Sequence, residues 1–140
     1  MQYADTCLLV SVFISDSGTD AALAWLEGTS GQPILASHWS LTEFASAAAS
    51  LARQKTISAR LHNEAQSRFR RFAAERLTLE PLLPIDFDRA SHLVEHYASG
   101  LRADDAVHLA LCQRLNATLC TADKVMVSAA KTVGIAILRV

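Results

Sequence analysis

The sequence predicts an α/β fold, a largely parallel sheet with helices on both faces, and three observations predict it. Short apolar runs of strand length alternate along the chain with longer segments of helical pattern, the order that successive βα units produce. Hydrophobic residues make up 51% of the chain and aromatics only 6%, with alanine and leucine abundant, so the core is aliphatic and favours helices. Acidic residues directly follow strands or open helices, which places them at the carboxyl edge of such a sheet, where ligands bind. A chain of 140 residues fits one domain, spanning 1–140, with a substantial core. No repeat, low-complexity segment or linker interrupts it.

In chain order, Gln2 to Ala4 is a short strand that ends at Asp5-Thr6, and the apolar run after it reads as a buried helix. Asp16-Ser17-Gly18 interrupts, and Ala21 to Gly28 is an amphipathic helix with Gly28 as its stop. Ile34 to Ser37 is a second strand. Ser40 and Glu43 have the spacing of a capping box, so a helix opens there and runs through the alanines to about Arg53. A polar helix follows from about Ile57 to Arg76. Leu77 to Ile85, broken by Pro81 and Pro84, is a short strand with its flanks. Asp86 caps a helix that reaches Ser99, with Gly100 behind it. The helix LRADDAVHLALC, from Leu101 to Cys112, ends near Asn116. Ala117 to Thr121 is a strand, Asp123 starts a last helix that stops at Gly134, and Ile135 to Val140 is the final strand.

The formal net charge of −1 argues against a generic polyanion binder but leaves room for a local basic patch. That patch lies between Arg53 and Arg76, where seven basic residues, among them Arg68, Arg70 and Arg71, face only Glu64 and Glu75. It is either a solvated helix face or a surface for phosphates. Cys7, Cys112 and Cys120 lie in apolar runs, as reduced buried thiols of a cytoplasmic protein would. The first apolar run follows an aspartate and is far shorter than the roughly 20 residues of a membrane span. Neither a signal peptide nor a membrane association is expected.

Asp5 and Asp123 follow strands, and Glu43 and Asp105 sit in first turns of helices, so four acids converge on one crevice. Each has an alternative role as a helix cap. Clustered carboxylates repel and raise one another's pKa, which a bound cation relieves. An all-oxygen donor set selects Mg²⁺ or Mn²⁺ over zinc. Asp104 and Asp105 point about 100° apart on their helix, so only one of the two serves this crevice.

Asp5-Thr6 after the first strand, Glu43 on a later helix, DAVHLA from Asp105 to Ala110, and TADK from Thr121 to Lys124 together resemble the acidic motifs of the PIN domain. The similarity spans essentially the whole chain and is greatest to the VapC-like ribonuclease toxins of type II toxin–antitoxin pairs. It implies a PIN-like three-layer α/β/α fold with a central, largely parallel sheet of about four to five short strands. It further implies Asp5, Glu43, Asp105 and Asp123 as catalytic acids, with Asp5, Asp105 and Asp123 holding the metal, and Thr6 and Thr121 as accessory hydroxyls. The DAxHLA pattern puts the register on Asp105 and leaves Asp104 as its neighbour. Cys7 departs from the small hydroxyl or amide residue that many members carry there. The implied activity is metal-dependent endoribonuclease action, with RNA as substrate, a homodimer as the assembly and an antitoxin as the partner. A partner arginine could pair with two of the carboxylates and displace the metal.

Two other classes use the same residues. One is a metal-dependent phosphatase on a small phosphate ester; the other is a silent PIN-like binding module, which would be expected to have lost an acid. The spacing His92-x-x-Glu95-His96 matches a zinc peptidase motif, but reads as the polar face of a helix. His108 reads as a packed histidine bonded to backbone near the site. Trp25 and Trp39 stand singly and read as core or dimer-contact residues.

Overall fold

The computed structural model describes residues 1–96 and 100–140. Among them five strands, β1 (Gln2–Ala4), β2 (Ile34–Ser37), β3 (Leu77–Glu80), β4 (Thr118–Thr121) and β5 (Ile137–Arg139), form one sheet in the order β3-β2-β1-β4-β5. All four neighbouring pairs are parallel. The helices are α1 (Thr6–Phe13), α2 (Thr19–Gly28), α3 (His38–Arg53), α4 (Ala59–Arg76), α5 (Pro84–His96), α6 (Ala103–Leu115) and α7 (Lys124–Thr132). This is the three-layer α/β/α arrangement expected from the alternation of elements. The chain leaves β1 toward β2 on one side and later returns to place β4 on the other. That reversal opens a crevice at the carboxyl ends of β1 and β4.

The two-residue period of the strands sorts the core into two layers. Tyr3, Leu35 and Leu119 face the layer of α5, α6 and α7, whereas Ala4, Ile34, Ala36 and Cys120 face α1 to α4. The central strands are buried on both faces, which is why they read as continuous apolar runs. On the second layer an aromatic cluster ties three helices together: Phe44 of α3 stacks on Phe69 of α4 at 3.8 Å between centroids, and Phe13 of α1 meets both edge-on. Helix α6 is buried without interruption from Asp105 to Cys112, so it is wedged between the sheet and its neighbours.

Several local expectations shift. Helix α3 is capped by Ser37, with Ser40 at the third helical position completing the reciprocal box, so Glu43 lies in the second turn and caps nothing. Helix α5 starts at Pro84, a residue suited to a first turn because it needs no N–H partner. Asp86 is therefore inside the helix, reaching back to accept the Leu83 N–H at 2.8 Å. The expected extension of this helix to Ser99 lies, for 97–99, outside the described residues. Gly28 ends α2 without a left-handed turn; Gly31, at φ +80°, makes the reversal instead. Strands β4 and β5 are shorter than their apolar runs, because Ala117 and Ile135 serve as buried entry points to them.

Candidate active site

Asp5 comes off the end of β1 and caps α1, accepting the Cys7 N–H at 3.4 Å. Its other oxygen accepts the Thr121 hydroxyl at 2.8 Å, and Thr121 in turn accepts the Asp123 N–H at 3.0 Å. The threonine thus links the ends of the two strands that flank the crevice. Asp105 enters from the first turn of α6, buried, while Asp104 is half-exposed. Asp5, Thr6, Glu43, Asp104 and Asp105 line one cavity of about 540 Å³, which extends along α1 and α3 past Trp39. Asp123 lies outside that lining. Its Oδ1 accepts the N–H groups of Val125 and Met126 at 2.7 and 2.9 Å, so the capping role and proximity to the acids coexist. The arginines 68, 70 and 71 are exposed on α4, and none of them lines the cavity.

Burial holds the Asp5 carboxyl above the usual aspartate range, offset in part by the nearby His108 charge and the Thr121 hydroxyl. Burial also raises Asp105, with the Arg102 bond opposing it and the charge of Asp104 adding to it. Glu43 goes the other way: burial alone would raise it, but His108 and the Thr6 hydroxyl hold it low. Burial thus keeps two carboxylates from ionising freely beside one that His108 and Thr6 favour in its charged form.

A PIN domain model matches residues 3–132. The chain belongs to the PIN domain family. No match to the sequence is found among curated proteins. Among solved structures the chain is similar to FitAcB from Neisseria gonorrhoeae, with a TM-score of 0.74 and 16% identity over 99% of this chain and 97% of that one. It is similar to VapBC2 from Rickettsia felis bound to a promoter DNA fragment, with 0.71 and 19% over 99% and 98%. Mycobacterium tuberculosis VapC20, a sarcin–ricin loop cleaving toxin, gives 0.72 and 14% over 92% and 95%.

The PIN domain brings Asp5, Glu43 and Asp105 to one cavity and leaves Asp123 at its margin. Among the described residues no three His, Cys, Asp or Glu side chains stand close enough to hold a metal ion together. The reasons are local: Asp123 caps α7, Glu43 is turned toward His108 and Thr6, and a cation of the chain's own sits on Asp105. That cation is Arg102, whose guanidinium lies 3.2 Å from Asp105 and 3.3 Å from Asp104. Sequence reasoning gave it no role; an arginine just before two aspartates at a helix start was the available signal. The donor set is still all oxygen and crowded with like charge, which suits a hard divalent cation.

Three other side chains depart from expectation. Cys7 is exposed on the cavity wall, not buried. His108 bonds side chains, not backbone. Trp25 is a core residue whose indole donates to Gln2 at 2.8 Å, whereas Trp39 is 40% exposed and lines the cavity. His92 and His96 stack on each other at 4.1 Å on the outer side of α5, as a polar face would.

Proposed function

We propose that this PIN domain is a metal-dependent endoribonuclease that acts as the toxin of a toxin–antitoxin pair, using Mg²⁺ or Mn²⁺. The observation that carries the reading is the meeting of Asp5, Glu43 and Asp105 in one cavity at the switch point of the sheet. The three acids come from separate elements and share no structural task that would require them to be acidic together. Asp5 and Asp105, with Asp123 at the margin, would hold the ion. When bound, it would polarise a phosphoryl oxygen and lower the pKa of a water. Thr121 keeps the Asp5 carboxylate turned toward the crevice, and Glu43, held ionised, is the acid suited to accept a proton from the attacking water. Arg102 is 65% exposed, so its guanidinium can turn from the aspartates to a phosphate.

The open cavity and the arginines of α4 favour a long polyanion over a small phosphate ester. Arg68, Arg70 and Arg71, exposed on α4 outside the cavity lining, would supply the phosphate-contacting face. The resemblance to toxins and toxin–antitoxin complexes supports a cytoplasmic protein silenced by an antitoxin whose arginine pairs with the same carboxylates. Arg102 already shows within the chain that a guanidinium fits there. Among the described residues no helix is long and apolar enough to cross a membrane. Phe87, Val94, Ala103 and Val107 form an apolar surface between α5 and α6 that suits a second copy.

Purified protein incubated with structured RNAs in Mg²⁺, Mn²⁺ or EDTA tests the reading. Discrete internal cuts that require the metal are expected. Cleavage that survives EDTA would overturn the metal, and hydrolysis of small phosphate esters with intact RNA would turn the assignment to a phosphatase.

A further inference from the structure

Beneath the acidic cavity, Glu43 is joined to the buried polar side chains of Tyr3, Thr6 and His108, to which the hydrolytic reading assigns no step. Tyr3 of β1 is fully buried, and its hydroxyl stands 2.6 Å from Nδ1 of His108. His108, 1% exposed, places Nε2 at 2.7 Å from Oε2 of Glu43. The Thr6 hydroxyl donates to the same oxygen at 2.6 Å. Four elements, β1, α1, α3 and α6, therefore meet in one hydrogen-bonded unit with Glu43 as its outer end. Such a chain is high in cost unless every member is satisfied, and among the described residues no buried side-chain polar atom lacks a partner.

The Glu43 carboxylate only accepts, so it sets the direction of the chain: Nε2 of His108 donates to it, and a neutral ring then accepts the Tyr3 hydroxyl at Nδ1. A charged imidazole donates from both nitrogens and reaches the same result at Glu43. Without the hydroxyl, Nδ1 loses its partner and the ring is held at Nε2 alone, free to shift against the carboxylate. The two short hydrogen bonds to Glu43, from Thr6 and His108, both take Oε2, with the Trp39 indole also close to the carboxylate, and Oε1 is the oxygen left for a ligand in the cavity that Glu43 lines. Glu43 sits in the second turn of α3, away from the helix-end N–H groups that fix Asp5 and Asp123. It needs another means of being held.

We propose that His108, locked by Tyr3 and assisted by Thr6, is a positioning residue that acts on the reaction through Glu43, holding that carboxylate by one oxygen so that the other faces the substrate. The inference rests on the hydrolase reading. It treats the histidine of DAVHLA as a fixed donor and not as a ligand or a proton carrier.

A double-mutant cycle tests it, with kcat and KM for metal-dependent RNA cleavage measured on Tyr3→Phe, His108→Gln, His108→Leu and Glu43→Gln and on the first and third combined with the last. Tyr3→Phe removes one hydroxyl from a folded core and should lower kcat about tenfold with KM within about twofold, and His108→Leu should lower it about a hundredfold, the range for supports of a site residue. His108→Gln, which keeps an N–H donor, should recover about tenfold of the loss in His108→Leu. In the Glu43→Gln background neither Tyr3→Phe nor His108→Leu should lower kcat further, because residues that act as a unit do not add. Losses that multiply in the double variants would overturn the inference, as would a Tyr3→Phe protein of wild-type kcat. If His108→Leu fails to fold, the Tyr3→Phe cycle decides alone. A wild-type protein that cuts no RNA defeats the hydrolase reading itself, an outcome distinct from multiplied losses in active variants.

Discussion

Asp104 and Asp105 are neighbours in sequence with different surroundings, and the difference is one of direction on a helix. Asp105 points inward, close to Asp5, and burial keeps it from ionising freely. Asp105→Asn should therefore remove RNA cleavage while leaving the metal-free melting temperature unchanged or higher, since it deletes a charge from a repelling site. Asp104→Asn should retain most of the activity. Equal losses at the two positions, in folded proteins, would move the register by one residue. Arg102 bridges both acids, so it competes with any cation. Arg102→Gln should raise Mn²⁺ affinity, measured by electron paramagnetic resonance, by about threefold, the effect of an exposed pair worth about 0.6 kcal/mol. The same variant should weaken RNA binding if the guanidinium turns to a phosphate. Asp5 and Asp105 were legible as candidates because strand ends and helix starts share an edge in α/β folds, whereas Glu43 lies a turn inside its helix. Arg102 was not legible, because its value depends on where its side chain lies relative to the two carboxylates.

At the scale of elements, α5 is held to α6 by an ion pair. Asp86, fully buried, accepts from Arg114 at 2.8 Å and from the Leu83 N–H. Burial would raise its carboxyl, but the Arg114 bond and the Leu83 N–H outweigh it and hold the pKa below the ordinary 3.8. A depressed carboxylate stabilises the fold above its unfolded pKa, and that contribution is lost as pH falls through the lower folded value. Asp86→Ala should cost about 3 kcal/mol at neutral pH, the low end for breaking a buried pair, because Arg114 keeps some access to water. Denaturant titrations should show the gap between wild type and variant closing below about pH 3.8 and vanishing further down. A constant gap would mean that packing, not charge, ties the helices. Helix α4 works by separation of faces: Ala65, Phe69 and Ala73 recur every four residues and are buried, and Arg68, Arg70 and Arg71 lie off that stripe, exposed. Neutralising Arg68, Arg70 and Arg71 together should weaken RNA binding and flatten its log–log salt slope by about 2, at about 0.7 per lost contact to a single strand. An unchanged slope would assign this face to solvent. Element order and most bounds followed from apolar periodicity and turn residues. The start of α3 did not, because Ser37 and Ser40 offer the same capping chemistry as Ser40 and Glu43, and only the path out of β2 selects between them.

For the whole molecule, the apolar surface around Phe87, which is 51% exposed, and Val94 should make the protein a homodimer. Sedimentation equilibrium should give twice the 15.2 kDa chain mass, and Phe87→Glu combined with Val94→Lys should give the monomer with unchanged helical content. A dimer that survives both substitutions would place the interface elsewhere.

What the sequence determined by itself was the parallel α/β architecture and the PIN family, because both depend on local patterns: period, caps and short motifs. The tertiary structure decided what those patterns cannot reach. Tyr3 and His108 are separated by 105 residues and meet at 2.6 Å; Thr6 and His108 converge on one oxygen of Glu43; Arg102 settles on the two aspartates of its own helix start. These contacts depend on the angles at which helices pack on the sheet. Those angles come from the summed fit of many side chains and leave no mark at any one position in the chain.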